Sequence, residues 1–99
     1  MDMAAFLALL YIDIRLHSIK SLKGKRALIR PLKDRLKNEF NISVIELAEG
    51  DSLDRARMLL VGAAGDSGRA SSLCESVMDF VERSFPQLDV SFEDEIIQL

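Results

Sequence analysis

From Ala5 to Leu16 the even positions are Phe6, Ala8, Leu10, Ile12, Ile14 and Leu16, and the odd ones Leu7, Leu9, Tyr11, Asp13 and Arg15. A period of two predicts a strand, with one wholly apolar face and a second that begins apolar and turns charged. Ser21 is placed to cap a helix running to about Phe40, whose inward stripe is Leu28 or Ile29, Leu32, Leu36 and Phe40. Asn41 is expected to end it in the left-handed conformation. Pro31 lacks the N–H that would bond the Ala27 carbonyl, which predicts a kink around 27–31 or a break. Ile42 to Ala48, rich in β-branched residues, predicts a second strand, and Glu49-Gly50-Asp51-Ser52 a turn. Arg57 to Ala64 is nearly all apolar and predicts a third strand, buried on both faces. Gly65-Asp66-Ser67-Gly68 then turns the chain into a second helix with Ala70, Leu73, Cys74, Val77, Val81 and Phe85 on one side, stopped by Pro86. Leu88, Val90 and Phe92 alternate with Asp89, Ser91 and Glu93, a fourth strand.

The order βαββαβ predicts a ferredoxin-like α+β fold for residues 1–99 as a single domain: a four-stranded antiparallel sheet with both helices on one face. The other sheet face would be bare, with Leu7, Leu9, Tyr11 and one set of third-strand residues pointing into solvent. An aliphatic patch of several hundred Å² is unusual on a monomer. The expectation is a homo-oligomer, a dimer, paired through that face.

Charge changes the picture locally. The 99 residues hold 13 Lys and Arg against 16 Asp and Glu, a net charge of −3. Yet Arg15 to Lys37 carries nine bases and one acid, Asp34, for +8, and the rest of the chain −11. Lys23, Arg26, Arg30, Lys33 and Lys37 recur at spacings of three and four and form one stripe on the first helix. Lys20 and Lys25 crowd its start, where cations are disfavoured and free N–H groups attract anions. Gly24 stands where Glu or Gln would complete a capping box with Ser21, and glycine lets a ligand approach the backbone. Lys20, Ser21, Lys23, Gly24, Lys25, Arg26, Arg30, Lys33 and Lys37 are therefore the candidate site for a phosphate or RNA backbone. A solvated helix face and a contact for an acidic protein surface are the competing accounts of the same stripe.

Catalytic and metal chemistries find little support. A single cysteine, Cys74, excludes an intramolecular disulfide and falls in the second helix's apolar stripe, as a small core residue does. His17 is the one histidine, and Asp13, four residues away along a strand, is roughly 13 Å off. It reads as a strand-end or loop residue near the basic helix. Glu46, Glu49, Asp51 and Asp54 lack the spacing of a calcium loop and suit a solvated turn, while Glu93-Asp94-Glu95 has no partner base. There is no phosphate-loop or dinucleotide fingerprint, and the third strand lacks the aromatics on which an RNA-recognition sheet stacks bases. A non-enzymatic protein without cofactor or metal is expected. The apolar run Met3 to Ile12 has no basic flank or cleavage site and is too short to span a bilayer, which predicts a cytoplasmic location.

Ser21-Leu22-Lys23-Gly24-Lys25-Arg26, Leu32-Lys33-Asp34-Arg35-Leu36-Lys37-Asn38 and Phe40-Asn41-Ile42-Ser43-Val44 together resemble the YlxP-like family of small bacterial proteins. The similarity extends through the third strand to Phe80-Val81-Glu82-Arg83 and Phe85-Pro86. It implies a ferredoxin-like fold in a family of unknown function, whose genes lie near those of translation and ribosome-maturation factors. The sequence departs from that family at Gly24, usually acidic, and around Glu49 to Asp54. The resemblance brings no catalytic residues. Two functions then compete: an RNA- or ribosome-associated factor acting through the first helix, and a homodimeric scaffold or small-molecule-sensing module acting through the open sheet face.

Overall fold

The computed structural model describes residues 4–47 and 52–99. Its elements run β1 (Phe6–Arg15), α1 (Leu22–Glu39), β2 (Ser43–Glu46), β3 (Arg55–Ala64), α2 (Ser67–Ser84) and β4 (Asp89–Gln98). The strands form one antiparallel sheet in the order β2-β3-β1-β4, the ferredoxin-like arrangement. β1 is central and pairs over all ten residues with both neighbours, from Phe6 opposite Ala64 and Gln98 to Arg15 opposite Arg55 and Asp89. Directly opposed residues share a face, so this register sorts every strand side chain onto one of two surfaces.

One surface is the core. Ala8, Leu10, Ile12 and Ile14 of β1, Ala56, Met58 and Leu60 of β3 and Val44 of β2 are buried against α1 and α2. α1 contributes Ile29, Leu32 and Leu36, and α2 contributes Ala70, Cys74, Val77, Phe80 and Val81. Leu73 lies against the sheet so closely that a Cβ at Gly62 would stand 2.3 Å from its Cδ2. Gly62 is the notch in β3 that admits this approach. Both helices are capped as their sequences suggest: Ser21 Oγ accepts from Gly24 N at 3.0 Å, and Asp66 Oδ1 accepts from Arg69 N at 2.7 Å.

The other surface stays open. Third-strand residues Arg57, Leu59 and Val61 are half-buried rather than buried, so β3 is covered on one face and not on two. Other expectations change. Of the kink or break expected at Pro31, the break does not occur, since α1 is one helix from Leu22 to Glu39. Asn41 is not left-handed; Ser18, at φ 61°, is the one non-glycine residue with positive φ among the described residues, and α1 instead ends on an extended Phe40 whose N–H bonds the Leu36 carbonyl. β3 begins two residues earlier, at Arg55, and β4 continues past Glu93 to Gln98. β2 is Ser43–Glu46, without Ile42 and Leu47 of the expected span, and Ala48 lies outside the described residues. The predicted turn residues Glu49, Gly50 and Asp51 lie outside the described residues.

Candidate functional site

α1 holds the basic stripe because its apolar positions are spaced to bury the opposite side. Lys25, Ile29, Leu32 and Leu36 recur at four, three and four residues and face the core. Lys23, Arg26, Arg30 and Lys37 consequently face solvent, and among the described residues none of the four has a carboxylate within ion-pair distance. Lys23, Arg26, Ala27, Arg30, Pro31 and Asp34 line a shallow groove of about 610 Å³ along this outer surface. Pro31 leaves the Ala27 carbonyl without its helical donor, so an acceptor sits between Arg26 and Arg30 in the same groove.

The candidate residues do not all converge on the stripe. Lys25 is 8% exposed and its Nζ donates to the Ser52 carbonyl at 2.7 Å, tying α1 to the end of the β2–β3 connection. Its ammonium is thereby engaged within the protein. Lys33 is half-buried with Nζ 3.8 Å from Glu46 Oε1, so it leans toward β2. Ser21 Oγ already occupies the Gly24 N–H, and a Cβ on Gly24 would meet Ser21 Oγ at 3.3 Å. Gly24 thus lies against its own cap instead of offering an open backbone. Lys20 is exposed in the β1–α1 loop. Arg35, which sequence reasoning had not singled out, sits on the flank facing α2, with its guanidinium 5.0 Å from the Phe80 ring centroid and 5.3 Å from that of Phe85. Phe40 meets Phe80 edge to face at 5.6 Å. Lys25 could have been recognised in the sequence, since it falls on the four-three-four spacing of the apolar stripe.

The remaining candidates also find places. His17 Nε2 lies 3.0 Å from Asp89 Oδ2 at an exposed corner, and Asp13 is held by Arg55 through Nε at 2.8 Å and through Nη2. That guanidinium keeps the Asp13 carboxyl below its ordinary value of 3.8, against a smaller opposing effect of burial and with help from Arg57 and Arg15. Cys74 is a core residue, and burial pushes its thiol upward, helped by Asp94 and Glu75. Among the described residues no group of three or more His, Cys, Asp or Glu side chains is arranged to hold a metal ion. No helix among them is long and apolar enough to cross a membrane.

Known proteins agree with the fold and leave the chemistry open. A de novo designed protein, Foldit4, superposes with a TM-score of 0.52 at 13% identity, covering 92% of this chain and 96% of its own, a likeness of fold alone. The uncharacterised protein YlxP of Bacillus subtilis (strain 168) is 28% identical over 69 residues, 70% of this chain and 74% of that one. A family model described as "Protein of unknown function (DUF503)" matches residues 7–92, nearly the whole chain. With the ferredoxin-like topology and the YlxP-like motifs of α1 and β2, that match means that the chain belongs to the DUF503 family of proteins of unknown function.

Proposed function

We propose that this protein is a non-enzymatic RNA-binding factor of the cytoplasm, associated with the ribosome or its RNA through the outer surface of α1. The observation that supports this most directly is the set of exposed bases Lys23, Arg26, Arg30 and Lys37, none of them within ion-pair distance of a carboxylate among the described residues. They span about 21 Å of helix, at 1.5 Å per residue. On a protein of net charge −3, such a stripe orients the molecule toward a polyanion, while the acidic remainder repels it in other orientations. The freed Ala27 carbonyl adds an acceptor among donors, suited to a ribose 2′-hydroxyl, which DNA lacks.

The test is binding to single-stranded and ribosomal RNA across a salt series. Neutralising four phosphates gives a log–log slope of about −3 to −4. Arg26→Glu/Arg30→Glu/Lys37→Glu should abolish most of that slope and the binding with it. A slope near zero in the wild type, or one that survives the triple substitution, would return the stripe to a solvated helix face.

A further inference from the structure

The groove on the outer surface of α1 holds acceptors as well as bases. Pro31 has no N–H to give to the Ala27 carbonyl, and both residues are exposed and line the groove. Asp34 lines it too and is exposed. Arg30 stands four residues before Asp34 and Lys37 three after, yet among the described residues no base lies within ion-pair distance of its carboxylate. Ala27 and Asp34 are two turns apart on one side of the helix, about 10 Å along its axis.

A surface that only neutralises phosphates has no use for either acceptor. A carboxylate repels a phosphate, and a carbonyl oxygen has no proton to give it. A ribose 2′-hydroxyl, in contrast, donates to both. Bases and acceptors alternate along the groove, from Arg26 to the Ala27 carbonyl, then Arg30, Asp34 and Lys37. That order matches a ligand in which phosphates alternate with hydroxyls.

Composition narrows the ligand further. α1 has no aromatic residue from Leu22 to Glu39. The rings of Phe40 and Phe80 meet each other on the flank toward α2, and Tyr11 belongs to the opposite surface of the sheet. Single strands are gripped by aromatic side chains on which successive bases stack, and α1 offers no such platform. The bases of a double helix are already stacked on one another. Its A-form minor groove is wide and shallow and displays 2′-hydroxyls beside the phosphates, open to a helix about 10–12 Å across.

We infer that this groove takes double-helical RNA. Lys23, Arg26, Arg30 and Lys37 meet phosphates at the rims of the minor groove, and the Ala27 carbonyl and Asp34 carboxylate accept from 2′-hydroxyls between them. The inference rests on the reading of α1 as an RNA-binding surface and adds the form of RNA that the surface selects.

Fluorescence anisotropy across a salt series tests it with four probes of equal phosphate number. These are an RNA duplex, the DNA duplex of the same sequence, a single-stranded RNA, and an RNA duplex methylated at its 2′-oxygens, which keeps the A form but has no hydroxyl to donate. The wild type should bind the RNA duplex about tenfold more tightly than each of the other three. Pro31→Ala supplies an N–H to the Ala27 carbonyl, and Asp34→Ala removes the carboxylate. Each keeps every base, and each should reduce the preference for the RNA duplex over the methylated one by about threefold or more. Asp34→Ala should also tighten binding of the DNA duplex, because a charge that repels phosphate has gone. Helical circular dichroism confirms that both variants are folded. Salt-dependent binding of equal strength on all four probes, tighter binding of the single strand, or an Asp34→Ala that gains on the RNA duplex as much as on DNA would overturn the inference and leave α1 a polyanion-binding surface. Absence of salt-dependent binding to any probe would remove the RNA-binding reading and the inference with it.

Discussion

Lys25 joins the core through its stem while its ammonium reaches the Ser52 carbonyl at 2.7 Å. Lys25→Ala removes a charged hydrogen bond and packed methylenes together, and should lower stability by about 2 kcal/mol, read as a lower urea midpoint at unchanged slope. RNA binding by the folded variant should keep its salt dependence, which separates Lys25 from Arg26 and Arg30. Asp13 is the counterpart on the sheet. Arg55 holds its pKa below 3.8, so the pair stabilises the folded state above that pH and loses its contribution as pH falls through the folded value. Asp13→Asn should therefore destabilise the protein at neutral pH by less than about 1 kcal/mol, because the Arg55 side chain is 44% exposed and solvent screens the pair, and the difference from wild type should vanish as acid titration passes the folded value, below pH 3.8.

Among the elements, α1 shows both what the chain spells out and what it withholds. Its cap at Ser21, its end near Phe40 and its buried face were all legible, because capping oxygens and a four-three-four apolar spacing are local signals. The passage through Pro31 was not. Pro31 and Ala27 are both exposed residues, while Ile29, Leu32 and Leu36 stay anchored on either side of the proline. Tertiary burial outweighs the local defect. Pro31→Ala should restore the missing bond and raise stability by about 2 kcal/mol, or roughly 10 °C in Tm on differential scanning calorimetry. The full length of β4 was hidden for a related reason. Glu93-Asp94-Glu95 interrupts the apolar alternation, yet the backbone goes on pairing with β1 to Gln98, and on an edge strand such acids discourage further pairing. β3 shows the limit of periodicity: an unbroken apolar run looks the same whether its second face is covered by its own chain or by another molecule. The extra apolar residues, Leu59 and Val61, fall on the open surface.

At the scale of the molecule, the sheet separates two surfaces of opposite character, the basic α1 on one side and the amphipathic open face on the other. A contact on one is shielded from a contact on the other by the whole thickness of the core, and substitutions more than about 10 Å apart with no shared partner act independently. Arg26→Glu/Arg30→Glu/Lys37→Glu should abolish RNA binding without changing the sedimenting mass. Its three sites are exposed positions of α1, so the stability of the folded protein should move by less than about 0.5 kcal/mol, read as the urea midpoint. Loss of binding at unchanged stability would make the stripe itself the contact, whereas loss of binding together with a larger loss of stability would mean that the substitutions had damaged α1.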